Sequence, residues 1–479
     1  MGAGRGHPGY GKTIFHPHAV TRREWPSRKG DRLGRRHCWK SGGESMIGVS
    51  RLLRVREPAF LGRLRIGAVI LVLRAGAIAS KFGLTLFIAH FLDLETLGIY
   101  GLMTGAVVLV PIFIGQGVLG TLGRNSVDQS LADLLADLAP YWAFLTVAYL
   151  AVIAMSFPLM CQYLLPHLVL LVGILIFIEH LNGDILVILN HRQRPEFANR
   201  LLVIRTAAWI VCYTGLAYCI PGMRTLTVLL TFWLAGAGVA LACFVWDCRN
   251  WPWHVAYAQF RDTKALACLI ERSRTLYLNE MTNTGSQYLD RYLVGAMLGL
   301  ELAGVYFLFW SFANALSNVI STSLLQVQQP AIIMSRHNPE EQRRLLGALR
   351  VEAAVASLAL GLVTACLAYV GLVLYPRPIF SSQRFVLLVL LLGFLVRMAY
   401  EVEGIGLYTR HEDRNTLFSA LLVLVLSVAV TLSATPFLGL LGPASAVVVS
   451  YVTGVWWRLD RNKKAYAGSP IRSPPGMSS

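Results

Sequence analysis

Several charged residues sit where charge is costly. Arg74 and Lys81 fall inside one long apolar run, seven residues apart. Two helical turns separate them, so they share a helix face. Each such cation costs about 2.5–3.5 kcal/mol at the centre of a membrane-spanning helix. The apolar neighbours of the pair nearly cancel that cost but leave little surplus, so this face is expected to line a wet interior. Snorkelling to the headgroups is an alternative for Arg74, near the end of the run. Lys81, nearer the middle, has less reach. A second group recurs at helical spacing in YLNEMTNTGSQYLDRYLVGAM: Glu280, Asn283, Thr284, Gln287 and Arg291, with Asp290 on the adjoining face. That stripe is too polar for lipid. A water-filled cavity satisfies it, and a local Asp–Arg pair or a helix–helix lock is the alternative. A third group is Glu179, His180, Asn182 and Asp184. Carboxylates and an imidazole this close suit proton or cation coupling, or a buried hydrogen-bond network. His180 has no partner set at metal-ligand spacing, so no metal is expected. Arg397 stands one turn before Glu401, as a cavity cation or as half of a stabilised pair.

Cations in separate parts of the chain favour an anionic ligand with phosphate or pyrophosphate chemistry. Nothing in these groups requires a covalent step. The chain has no G-x-x-x-x-G-K-[ST], no H-E-x-x-H and no G-x-S-x-G. Its longest internal loop, 247–276, is short for a membrane-embedded polymerase or ligase. The chain is therefore read as a non-enzyme without a cofactor.

The elements that position these groups follow from composition. Of 479 residues, 55% are hydrophobic and only 14% charged, and the mean hydropathy is +0.55. A soluble domain is about a quarter charged. The apolar residues come in runs of roughly twenty, enough to cross a bilayer as helices. Lipid leaves no other partner for backbone polar groups, and the runs are too long for barrel strands. The expected fold is an all-α polytopic membrane protein with twelve spans, at about 67–91, 97–121, 141–161, 167–189, 202–220, 225–246, 277–297, 302–325, 351–375, 385–405, 416–433 and 437–457. The seventh is polar enough to escape a hydropathy window. With the N-terminus inside, the inner loops and their edges hold 16 Lys or Arg against 3 outside, the asymmetry that sets orientation. Both termini are then cytoplasmic. The net charge of +17 is read as this topological signal rather than as nucleic-acid binding. The eight cysteines are scattered without a C-x-x-C pair, which reads as small hydrophobes rather than a disulfide framework.

The chain repeats itself. LDLETLGIYGL (92–102) and LGLELAGVYFL (298–308) match at six of eleven positions with an offset of 206. Each copy closes an odd span and opens the next, so the halves are parallel six-helix bundles related by an axis along the membrane normal. Glu95 and Glu301 favour the helix starts. Gly98 and Gly304 permit close approach or a tight entry, and Tyr100 and Tyr306 suit an interface. All six are read as structural. The division is 1–66, a basic cytoplasmic extension with 15 Lys or Arg against 4 Asp or Glu; 67–246 and 277–457, the two halves; 247–276, a cytoplasmic linker rich in Trp and basic residues; and 458–479, a cytoplasmic tail. Residues 1–45 are expected to be disordered and show no signal-peptide pattern. Met46 opens a more conventional beginning.

The phrases ASKFGLTLFIAHFLDLETLGIYGL (79–102) and SQYLDRYLVGAMLGLELAGVYFLF (286–309), the latter followed by QQP (328–330), carry a resemblance. The chain resembles the polysaccharide-exporter branch of the multidrug/oligosaccharidyl-lipid/polysaccharide flippase superfamily over about residues 65–457. The resemblance implies a bacterial inner-membrane transporter serving lipopolysaccharide or exopolysaccharide synthesis. Its substrate would be an undecaprenyl-pyrophosphate-linked oligosaccharide, turned to the outer leaflet by alternating access and driven by a proton or sodium gradient. The family's cationic cavity would map onto Arg74, Lys81, Arg291 and Arg397, with Gln287 beside them. Candidate coupling groups are Glu179, His180, Asp184, Glu280 and Asp290. Expected partners are the bilayer, the lipid-linked oligosaccharide, and a polymerase with other glycan-export proteins. The alternatives are an ion-coupled small-molecule exporter, which should prefer acidic walls, and a membrane-embedded polymerase or ligase.

Overall fold

Every apolar run becomes a helix. The computed structural model describes residues 57–125, 130–162, 165–192, 194–335, 338–374, 378–410 and 412–468. Most of the basic extension and the end of the tail lie outside the described residues. Twelve long helices carry the fold: α1 (Glu57–Phe91), α2 (Leu94–Gly115), α4 (Leu131–Met160), α5 (Pro166–His191), α6 (Pro195–Cys219), α7 (Leu226–Asp247), α9 (Thr263–Leu298), α10 (Leu300–Met334), α11 (Pro339–Leu374), α13 (Arg384–Thr409), α14 (Asp413–Leu438) and α15 (Leu441–Gly468). Three short helices fill connections: α3 (Val118–Asn125), α8 (Trp253–Gln259) and α12 (Pro378–Ser382). Met1–Phe60 and Leu61–Ser479 are separate units. Of the first, only the opening turn of α1 is described, and all that follows concerns the second.

Ten of the twelve helices are long and apolar enough to cross a membrane by themselves. The exceptions are α9 and α15. Helix α9 holds the polar stripe and buries Thr282, Ser286, Asp290 and Arg291. Helix α15 carries Arg458, Asp460, Arg461, Lys463 and Lys464 in its final turns. Neighbouring helices take up the α9 groups and Arg458, whereas Lys463 and Lys464 are exposed at the helix end. Large apolar side chains point outward instead, among them Val147, Leu150 and Met155 on α4 and Leu358 and Leu362 on α11. An outward band of this kind matches hydrocarbon.

Several helices overrun their expected spans at one end. Helix α9 begins at Thr263 rather than near 277, α10 continues to Met334, α11 begins at Pro339, and α15 runs on to Gly468. These extensions are polar and lie at the end where the linker joins the halves, here the linker end. Hydropathy marks where a helix leaves lipid, not where its hydrogen bonding stops. Helix α2 ends early instead. Gln116 and Gly117 adopt positive φ (49° and 67°) and turn the chain into α3. A Cβ on Gly117 would come within 2.8 Å of the Tyr277 amide nitrogen, so the turn packs directly on α9.

The opposite end, the repeat end, holds the two copies of the repeated turn, and they meet each other. A Cβ built on Gly98 would lie 2.1 Å from the Leu300 carbonyl oxygen, and one on Gly304 would lie 2.1 Å from that of Leu94. The two pairs exchange under the 206-residue offset, so a pseudo-twofold axis passes between α2 and α10 there. Only glycine lets two backbones approach this closely. The helix starts differ. Asp93 caps α2, its Oδ1 accepting from the Thr96 amide at 2.5 Å, whereas the matching cap of α10 is Gly299 with φ 88°. Glu95 and Glu301 sit exposed in the first turns that follow. Tyr100 and Tyr306 are not interfacial as expected; they are 3% and 0% exposed. The crossing of α2 and α10 draws them inward, into the main core with Trp233, Phe307 and Trp310.

Candidate functional site

Between the halves, from the crossing at the repeat end toward the linker end, lies a cavity of about 610 Å³. Helices α1, α2, α5 and α6 supply one side, and α9 and α10 the other. Lys81, Glu179, His180, Asp184, Glu280 and Arg291 all line it.

Lys81 reaches the cavity from α1 on the face it shares with Ile78, Phe82 and Thr85. It is exposed to that space, and its ammonium makes no hydrogen bond or ion pair among the described residues. Behind it stand Glu179 and Arg205. Arg205 Nε lies 3.0 Å from Glu179 Oε2, and the Trp233 indole donates to Glu179 Oε1 at 2.7 Å. The carboxylate is 5% exposed, so both its oxygens are occupied. Arg205 Nη1 is buried without a hydrogen-bond partner. Arg205 rides on a π-helical turn, Ile204–Ala208, a distortion common at functional positions.

His180 and Asp184 form a second cluster on the same wall. The Tyr149 hydroxyl is 3.0 Å from His180 Nδ1, and that of Tyr141 is 3.3 Å from Nε2. Asp184 Oδ1 lies 3.6 Å from Nε2, while the Trp142 indole donates to Oδ2 at 3.3 Å. Asn182 points away and donates to the Ala237 carbonyl of α7.

On the facing wall Arg291 is enclosed, 2% exposed. Its guanidinium carbon sits 3.5 Å from the centroid of Trp310, 4.7 Å from Tyr288 and 5.2 Å from Phe307. A desolvated cation over an aromatic face gains about 2 kcal/mol. Arg291 Nη1 also donates to the Gly101 carbonyl at 3.4 Å and to Thr104 Oγ1 at 3.3 Å. The Tyr292 hydroxyl donates to the Leu102 carbonyl at 2.8 Å. These bonds join α9 to α2 across the halves near the repeat end. Asp290 does not pair with the Arg291 side chain. It accepts from the Tyr306 hydroxyl at 2.6 Å and from the Arg291 amide at 2.8 Å, and it lies outside the cavity lining.

Three expected cavity residues lie elsewhere. Arg74 Nε donates to Asn199 Oδ1 at 3.0 Å, and Nη1 reaches Gln326 Oε1 at 3.5 Å, so it ties α1 to α6 and α10 nearer the linker end. Arg397 Nε donates to Glu401 Oε1 at 3.0 Å and Nη2 to Gln287 Oε1 at 2.8 Å. Glu401 Oε2 also accepts from Ser321, on the π turn Ser321–Leu325 of α10. Arg397 and Gln287 thus belong to a network inside the second half. Arg205, Trp233, Asn314 and Asn318 line the cavity without having been singled out by charge or spacing in the sequence. Arg205 lies a few residues inside its span, a position that could have flagged it.

The fold has solved counterparts. An inward-facing multidrug resistance MATE family transporter of the MOP superfamily matches with a TM-score of 0.66 at 14% identity, over 82% of this chain and 96% of that one. The lipid II flippase MurJ, in an inward closed conformation, gives 0.66 at 13% identity, over 83% and 87%. An outward-facing MATE transporter gives 0.51 at 14% identity, over 84% and 96%. These are transporters and a flippase, not enzymes. No curated protein matches in sequence. The family model described as polysaccharide biosynthesis protein matches residues 87–375, more than half of the chain. That match covers both copies of the repeat, the linker between the halves and the cavity lining from Tyr100 onward, though not the α1 lining that holds Lys81, and by it the chain belongs to the polysaccharide biosynthesis protein family.

Proposed function

We propose that this protein flips an anionic lipid-linked oligosaccharide, of the undecaprenyl-pyrophosphate type, across the bacterial inner membrane by alternating access, for surface polysaccharide synthesis. The observation that carries the reading is Lys81, an ammonium without a hydrogen bond or ion pair among the described residues, facing the cavity between two repeat-related halves. An anionic head group entering that space gains a charge-assisted contact that no protein group supplies. The acidic groups on this wall, Glu179 and Asp184, already have partners, and the remaining cavity carboxylate, Glu280, stands on α9; the partnered pair weighs against a cationic drug as cargo. The lipid tail stays in the bilayer while the head group crosses, through the seam beside α1 and α10. Phe82 and Phe312 meet edge to face there, with centroids 4.6 Å apart.

In this reading the present shape is an inward state. Its greater likeness to an inward-facing and to an inward closed relative than to an outward-facing one supports this, as does the tight packing at the repeat end. Both termini face the cytoplasm, and a proton or sodium gradient drives the cycle. A polymerase and other export proteins would receive the flipped lipid. The test is a leaflet-resolved assay in proteoliposomes holding a lipid-linked oligosaccharide. Translocation that depends on the protein and on one ion gradient is expected. Absence of lipid translocation alongside export of an organic cation would replace the reading with that of a small-molecule exporter.

A further inference from the structure

The cavity wall given by α10 carries almost no charge, and its polar groups are unspent. Phe307, Trp310, Ser311, Asn314, Ala315 and Asn318 line the cavity at helical spacing, one continuous face. Ser311 satisfies itself by donating to the Phe307 carbonyl at 2.7 Å. The hydroxyls of Thr85, Thr104 and Thr206, across the cavity, likewise donate within their own helices. The carboxamides of Asn314 and Asn318 do not. Neither makes a hydrogen bond among the described residues, and both line the cavity, Asn314 half-buried and Asn318 exposed. They stand one turn apart on the same face of a helix that is otherwise closely packed.

An unpaired carboxamide inside a membrane protein is a specific chemical offer. It donates and accepts at once, matching a hydroxyl that also does both. It has no charge with which to hold a phosphate. The charged group opposite, Lys81, with the Arg205–Glu179 pair behind it, offers the reverse. The cavity is thus divided: a wall on α1 with one free cation among the described residues, and a neutral, two-way hydrogen-bonding wall on α10. Depth follows the same division. Lys81 lies ten residues from the repeat end of α1, and Trp310 ten residues from that end of α10, each about 15 Å along its helix. Asn314 and Asn318 continue from that level toward the linker end by roughly a further 6 and 12 Å.

We infer that Asn314 and Asn318 form a subsite for hydroxyl groups of the neutral glycan, extending from a head-group position at Lys81 toward the linker end. This rests on the flippase reading and adds to it the placement of the sugar. A sugar on this wall exchanges water for carboxamide partners, while the pyrophosphate stays against α1.

The experiment measures binding of two probes to the purified protein in nanodiscs: undecaprenyl pyrophosphate, and the same lipid carrying a neutral disaccharide. Wild type should bind the disaccharide lipid more tightly. The double variant Asn314→Ala, Asn318→Ala should lose about tenfold in affinity for the disaccharide lipid, the scale of two modest hydrogen bonds. Its affinity for undecaprenyl pyrophosphate should stay within about twofold, which also reports an intact fold. Asn318→Gln, which keeps a carboxamide, should fall between. Unchanged binding of both probes by the double variant overturns the subsite, and so does equal loss of both. Failure of the wild type to bind either probe overturns the flippase reading itself.

Discussion

The two halves share a repeat yet use their charges differently. In the first half, Lys81 is unpartnered in the cavity, and Arg205 and Glu179 stand beside it on the cavity wall. In the second half, Arg291 is enclosed at the cavity wall and bonded across to α2, and other basic side chains are spent on internal contacts. Arg350 grips Glu403 with two bonds, 2.6 and 2.8 Å, and Asn462 donates to the same carboxylate. Arg458 is 5% exposed, donates to Ser419 and to the Tyr400 carbonyl, and lies 3.4 Å from the Tyr400 ring centroid. Arg397 is bound to Glu401 and Gln287. The duplicated scaffold thus differs in use: among the described residues the first half leaves one cation, Lys81, free in the cavity, and the second uses its charges mainly to fasten helices.

The comparison is broken most directly at its structural side. Arg350→Met leaves Glu403, whose side chain is 4% exposed, without its main counter-ion. Stranding a buried charge costs about 3–5 kcal/mol, and the low end applies because Arg350 itself is 39% exposed. A thermal melt in detergent should show this loss of about 3 kcal/mol. A melt indistinguishable from wild type would mean that the second half does not depend on its charge pairs. Next in size is the glycine contact. Gly98→Ala and Gly304→Ala each place a methyl carbon against an opposing carbonyl that no rotamer change can move. Overpacking of this kind costs about 1–3 kcal/mol. The two variants should behave alike because the axis exchanges them. Both should raise labelling of a Thr104→Cys reporter by an impermeant thiol reagent from the repeat side, in a cysteine-free background. Unequal effects would show that the halves do not close symmetrically.

Lys81→Met sharpens the functional side. Losing one charge-assisted contact of about 1.4 kcal/mol corresponds to a tenfold fall in lipid translocation, with the thermal melt unchanged because Lys81 fastens nothing. A fall in melting temperature like that of Arg350→Met would erase the distinction between the halves.

How much of this could be read from the sequence depends on distance along the chain. The polar stripe of α9 identified a helix that hydropathy alone misses, because its period is local. The repeat gave the parallel halves, and its glycines spoke of close approach. What the sequence did not contain was azimuth. Arg291 was legible as an intramembrane cation, yet not as one enclosed by Trp310, Tyr288 and Phe307. Arg205 stands near the start of its span, on a π turn that periodicity cannot register. Glu179 reads as a coupling carboxylate until Trp233 and Arg205, 54 and 26 positions away, are seen to hold it. Asn314 and Asn318 gave no signal, because two asparagines on an apolar helix look alike whether they face a cavity or a neighbour.

Arg74 tests the weakest claim of the comparison, that a first-half cation can be structural too. It shares a helix face with Lys81 and was expected to share its task. Its contacts say otherwise, because its guanidinium spans from Asn199 on α6 to Gln326 on α10. The bond to Asn199 lies within the first half, and the longer one, at 3.5 Å, crosses between halves. Cargo binding should therefore be insensitive to Arg74→Gln, with undecaprenyl pyrophosphate affinity held within about twofold. The cross-half bond should break when the linker end moves, so its loss should shift the balance of states by about 0.5 kcal/mol, the low end for a hydrogen bond. Cysteine cross-linking between positions 74 and 326 in the single pair Arg74→Cys, Gln326→Cys reads that movement. It should form readily in the resting state and fall when an ion gradient drives turnover. A cross-link that forms equally in both conditions would place these residues off the moving seam, and a loss of cargo affinity in Arg74→Gln would return Arg74 to the cavity beside Lys81.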